Sequence, residues 1–129
     1  MNKVIFNEIQ GLDERLPTAE KLLAFGVQEC GDKRSQILQF LSANKENISQ
    51  KYHLKKLGIF GSYARGEQTP ESDLDLLVEF EDNTPDLPEK REYLRNEIKA
   101  VFDIDVDICR EKYIKPVFRK QILSDAVYV

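Results

Sequence analysis

The chain has 129 residues, 41% of them hydrophobic and 33% charged, with a formal net charge of −4. These values fit one globular domain with a modest core and argue against wholesale disorder. The acidic balance argues against non-specific nucleic-acid binding, which needs a basic face to displace counterions, but it leaves room for acidic residues that hold a divalent cation.

Residues 1–31 read as an N-terminal extension of unknown role ahead of a domain over 32–129. Within the extension, "LPTAEKLLAFG" reads as a short helix, with Pro17 or Thr18 near its start and Gly26 near its end. The opening apolar patch is only Val4, Ile5 and Phe6, and no segment approaches a membrane span. Cys30 and Cys109 lie far apart, and His53 is the single histidine, so there is no zinc-ligand set. A cytoplasmic protein with no membrane contact is expected.

"DKRSQILQFLSANKENISQKYHL" opens on Asp32, a suitable N-cap, and spaces Ile37, Leu38, Leu41, Ile48 and Tyr52 as one helix of several turns. "KKLGIF" (55–60) reads as a strand entering a glycine turn. "DLDLLVEF" (73–80) reads as a second strand, because polar and apolar residues alternate before the run turns apolar. After the loop "EDNTPDLP", the helix "PEKREYLRNEIKAVF" carries Tyr93, Leu94, Ile98, Val101 and Phe102 on one stripe. "DIDVDIC" (103–109) alternates again as a strand, and a helix over about 114–124 and the apolar tail "AVYV" follow. The expected fold is α/β (α+β), a small mixed sheet covered by helices.

The glycine turn decides the function. Gly61 and Gly66 have Walker A spacing, but Glu67 and Gln68 stand where that loop needs Lys and Ser or Thr. The aspartates also fail the calcium-loop pattern: counting from Asp73, the sixth position is Val78 and the twelfth is Thr84. What remains is a strand, a tight turn at Gly61-Ser62 and a second strand with Asp73 and Asp75 on one face. Paired carboxylates suit magnesium, and Asp107 on a neighbouring strand is the natural third. Gly61 lets a phosphate approach the backbone, and Ser62 adds a hydroxyl donor. Metal-binding carboxylates facing a phosphate-binding turn describe nucleotidyl transfer.

"GS", ten residues, then "DLD" resembles the signature of the polymerase-beta-like nucleotidyltransferase superfamily. The run "GSYARGEQTPESDLDLLVEF" is similar to its minimal branch, the MNT domains, and "VDICREKYIKPVFRKQILSDAVYV" resembles their C-terminal end. The likeness covers roughly residues 33–129. It implies that Gly61 and Ser62 hold the triphosphate, that Asp73 and Asp75 bind two magnesium ions, and that Asp107 completes one metal site and helps to activate the attacking hydroxyl. Asp103 and Asp105 would share a strand face with Asp107, and the family's "VD" step favours Asp107.

The resemblance also implies a partner. MNT domains of the MntA-like type are antitoxins that transfer AMP from ATP to tyrosine on a HEPN ribonuclease toxin. Nucleotidyl transfer to a small-molecule hydroxyl and inhibition by binding alone are the alternatives. Arg65 is a candidate for neutralising phosphates, with pairing to Glu67, Glu71 or a nearby carboxylate as its structural alternative. Lys112, Lys115 and Arg119 read as one solvated helix face, or more sharply as a contact for an acidic partner or for ATP phosphates.

Overall fold

Asp32 caps the first helix, its carboxylate accepting a hydrogen bond from the Ser35 amide at 2.9 Å. The computed structural model describes residues 32–129, so the helix expected over "LPTAEKLLAFG" lies outside the described residues. Where one long helix was expected next there are two, α1 (Lys33–Ala43) and α2 (Lys45–Tyr52). The break falls at Asn44, a buried residue whose side-chain amide donates to the Phe40 carbonyl at 2.9 Å. Such local side-chain bonding competes with helix continuation. His53 then ends α2 in the left-handed region, at φ 58°.

The remaining elements are β1 (Leu54–Phe60), α3 (Gly61–Arg65), β2 (Leu74–Phe80), α4 (Leu87–Phe102), β3 (Val106–Arg110), a 3₁₀ turn (Glu111–Tyr113), α5 (Pro116–Asp125) and β4 (Val127–Tyr128). They build a mixed four-stranded sheet in the order β3-β2-β1-β4. Strand β1 runs antiparallel to β2 and β4, and β2 runs parallel to β3. The parallel pair needs a crossover, which α4 supplies. This is the α/β arrangement expected.

Several boundaries differ from the sequence reading, chiefly those of β2, β3 and the tail. Strand β2 starts at Leu74, leaving Asp73 in the preceding loop. Strand β3 starts at Val106, because Asp103 ends α4 in the left-handed region (φ 55°) and the alternating pattern is broken there. Asp103 and Asp105 therefore do not share a strand face with Asp107. The tail includes β4, in which Val127 and Tyr128 pair with Ile59 and Gly58.

Period-two alternation sorts the sheet into two faces. Leu74, Leu76, Val78 and Phe80 join Leu57, Ile59 and Val106 in the main core with apolar residues of α1, α2 and α4. Tyr93 departs from the expected α4 stripe and is exposed. The other face of β2 carries Asp75, Leu77 and Glu79. Glu79, at the far end, accepts hydrogen bonds from the Lys112 amide at 3.1 Å and from Arg110 at 3.3 Å, which fastens the 3₁₀ turn to the sheet. Helix α5 packs against α3 and β1, and its end nearest α3 is tied by Arg65–Asp125.

Candidate active site

Strands β2 and β3 run in a register that sets Asp75 opposite Asp107. Laterally opposed residues of paired strands project to the same face, so both carboxylates stand on the face away from the main core. Each is the second residue of its strand, which places the pair at one end of the sheet. The Leu74 amide donates to the Asp105 carbonyl at 2.8 Å and joins the chain leading into β2 to the chain leading into β3. Asp73 is exposed, one residue before β2. In the loop before it, Ser72 Oγ accepts from the Thr69 amide at 2.8 Å and so orients the chain that leads to Asp73.

Asp73 and Asp107 both act on Asp75. The Asp75 carboxyl titrates at about 6, up from 3.8, because burial disfavours its charge, Asp107 repels it more weakly and Asp73 more weakly again. Among the described residues, none forms a hydrogen bond or ion pair with any of the three carboxylates. Asp105 points its charge elsewhere, to Lys99 at 3.1 Å.

Gly61 completes the site from the other side. Phe60 lies opposite Asp75 across β1 and β2, and the chain turns immediately afterwards. Gly61 takes φ +74°, and a Cβ there would overlap Asp75 Oδ2. Glycine is favoured twice over: by the left-handed backbone, and because any side chain there would displace the Asp75 carboxylate. Ser62 follows in α3, its carbonyl accepting from the Glu67 amide at 2.9 Å and closing the loop that leads away from the bend. Arg65 is engaged: Nε meets Glu67 at 2.9 Å and a terminal nitrogen meets Asp125 at 3.2 Å. The pairing with Glu67 named as its alternative is formed, although the guanidinium still lowers the Asp75 pKa slightly.

Two features escaped the sequence reading. Arg34 of α1 donates to the Tyr63 carbonyl at 2.8 Å and to the Ala64 carbonyl at 3.2 Å, and so holds α3 from behind. Nothing in the local sequence marks a contact between residues about thirty positions apart. Cys109 lies on the same strand face as Asp107, and burial followed by Asp75 raises its thiol pKa. Strand parity alone could have placed it there.

Among the described residues, no three His, Cys, Asp or Glu side chains close on a common point tightly enough to grip a metal unaided. Magnesium does not require such a cage, since it keeps waters and takes one or two carboxylates together with substrate phosphates. Hard oxygen donors crowded until one is held protonated to about pH 6 fit that ion.

A parallel strand pair with aligned aspartates, facing a glycine bend on the neighbouring strand, is the framework of a nucleotidyltransferase. The nucleotidyltransferase domain family matches residues 39–129, and the chain belongs to it. A Methanocaldococcus jannaschii relative, provisionally named a protein adenylyltransferase, is 40% identical over 98 residues, covering 74% of this chain and 96% of its own. The protein adenylyltransferase MntA of Thermococcus cleftensis is 31% identical over 96 residues, covering 73% of this chain and 93% of its own. A solved structure provisionally described as a minimal nucleotidyltransferase superposes with a TM-score of 0.56 at 32% identity, covering 70% of this chain and 93% of that one. A toxin–antitoxin crystal structure with AMP-PNP shares the fold at a TM-score of 0.53 and 23% identity, over 66% of this chain and 68% of that one.

Proposed function

We propose that this nucleotidyltransferase is an antitoxin that transfers AMP from ATP to a tyrosine hydroxyl of a cognate HEPN ribonuclease toxin, with magnesium held by Asp73, Asp75 and Asp107. The observation that carries the reading is the Asp75–Asp107 alignment beside a glycine at which any side chain would overlap the Asp75 carboxylate. Relatives named protein adenylyltransferases support the donor and the class of acceptor.

Two magnesium ions, when bound, supply charge neutralisation for the triphosphate and the departing pyrophosphate. Gly61 gives the phosphates room against the backbone, and the Ser62 hydroxyl offers a donor. Asp73 and Asp75 fix the nucleotide by holding its metal counter-charge. The tyrosine oxygen attacks the α-phosphorus in line, its proton passing to Asp107. A phosphorus–oxygen bond forms to tyrosine, the bond to the bridging oxygen breaks, and pyrophosphate leaves. Arg65 steadies the loop after the bend through Glu67 and Asp125.

Mass spectrometry of the HEPN protein after incubation with the full chain, ATP and magnesium tests this. The expected result is an added AMP on a tyrosine peptide. AMP found only on a small-molecule hydroxyl, or toxin silenced with no adduct, contradicts it.

A further inference from the structure

Helix α5 buries none of its own residues, and its start is the most conspicuous apolar surface among the described residues. Val117 is 79% exposed, Tyr113 66% and Phe118 55%. Tyr113 closes the 3₁₀ turn, while Val117 and Phe118 lie in the first turn of the helix. Large apolar side chains are the ones folding ordinarily hides, and a cluster rimmed by charge is a mark of protein contact.

The rim is basic. Lys112, Lys115 and Lys120 are all exposed, and each lies within two residues of one of these side chains along the chain. Among the described residues, Lys115 and Lys120 form no ion pair, and Lys112 lies over the Tyr113 ring at 5.6 Å. In a chain of net charge −4, three lysines around one apolar patch are a local inversion of sign. The sequence reading of one basic helix face is corrected here. Lys112 and Lys115 precede α5, and Arg119 is turned inward to donate to the Glu111 carbonyl at 3.0 Å.

The position of the patch gives it a use. Tyr113 follows the end of β3, whereas Asp107 stands near the start of that strand. Helix α5 then runs back toward the site, where Asp125 meets Arg65 of α3. From Val117 to Asp125 the helix covers about 12 Å at its usual rise. A protein held at the start of α5 would therefore overlie the helix and reach the aspartates with an adjoining part of its surface.

We infer that Tyr113, Val117 and Phe118, ringed by Lys112, Lys115 and Lys120, form the docking surface for the acceptor protein, whose matching face is apolar with a carboxylate rim. This rests on the proposed transfer to a protein. Charge complementarity selects the occupant: a second copy docked symmetrically through this face would set lysines against lysines. The patch anchors the acceptor, and the aspartates act on it some distance away.

The test measures both binding and transfer, with the full chain and the purified HEPN protein. The double variant Val117→Asp/Phe118→Asp should weaken binding at least about tenfold, the loss typical of central interface residues. It should raise KM for the protein acceptor with little change in kcat, and leave magnesium–AMP-PNP affinity and Tm as in wild type. The triple variant Lys112→Glu/Lys115→Glu/Lys120→Glu should weaken binding comparably, and raised salt should weaken wild-type binding. Wild type that binds without transferring, with binding lost in the variants, upholds the docking surface and refutes the proposed reaction. Unchanged binding in both variants overturns the inference, as does a wild type that does not bind. So does a self-association lost in the double variant, or an RNA 20-mer whose binding the triple variant loses while acceptor binding persists.

Discussion

The Gly61 backbone lies so close to the Asp75 carboxylate that a side chain at position 61 would overlap Oδ2. The turn and the acid are thus one unit: the bend proposed to admit phosphates also limits where the Asp75 carboxylate can sit. Gly61→Ala should fail for two reasons. A left-handed backbone costs a non-glycine residue about 1 kcal/mol or more, and Asp75 must move. The expected outcome is a modest fall in Tm with at least about tenfold weaker magnesium–AMP-PNP binding, read by calorimetric titration.

Arg34 reaches α3 from outside the motif, through the Tyr63 and Ala64 carbonyls. It is a positioning residue. Arg34→Ala should cost about 1–3 kcal/mol of stability, as expected for hydrogen bonds from a charged donor. If the contact sets the pose of the Gly61–Ser62 bend, KM for ATP should rise more than kcat falls, and Arg34→Lys should recover part of the loss. Equal kinetics in wild type and Arg34→Ala would show the contact to be structural only.

Metal-free stability should depend on Asp75. The folded state keeps this proton up to about 6, whereas the unfolded chain releases it near the ordinary 3.8. The native state therefore binds more protons in that window, and stability should fall as pH rises from about 4 to about 6. With chelator present, Asp75→Asn should remove this fall and leave the variant more stable than wild type at pH 8. Melting curves across pH check the sign, and added magnesium chloride should restore stability to wild type and not to the variant.

Glu111 makes the opposite case. It accepts hydrogen bonds from the Tyr128 hydroxyl and from Lys56, which hold its carboxyl below the usual range. Its contribution is present above about 4.5 and is lost as pH falls through the lower folded value. Glu111→Gln should lower Tm at pH 7 by a few degrees, with the difference from wild type shrinking in acid. A Tm gap that stays constant down to pH 3 would contradict this.

How much of this the sequence shows depends on how local the cause is. The Asp32 cap, the bend at Gly61 and the apolar runs of β1 and β2 are written in a few adjacent residues and are found where expected. The start of β3 is not, because Asp103-Ile104-Asp105 copies strand alternation while the backbone is still leaving α4. The α1–α2 break is hidden for a similar reason, since Asn44 stops one helix by bonding back to Phe40. The "VD" step points to Asp107, but only the β2–β3 register shows why it stands opposite Asp75. Arg34 needed the tertiary structure.

The most direct measurement of the central claim is transfer from α-labelled ATP by the full chain to the proposed HEPN acceptor, comparing wild type with Asp75→Asn and Asp107→Asn. The expected result is magnesium-dependent label on the acceptor with wild type, and a loss of at least about a hundredfold with each single variant. Undiminished labelling by either variant would contradict the account, because the two carboxylates that the sheet sets side by side would then have no part in the chemistry.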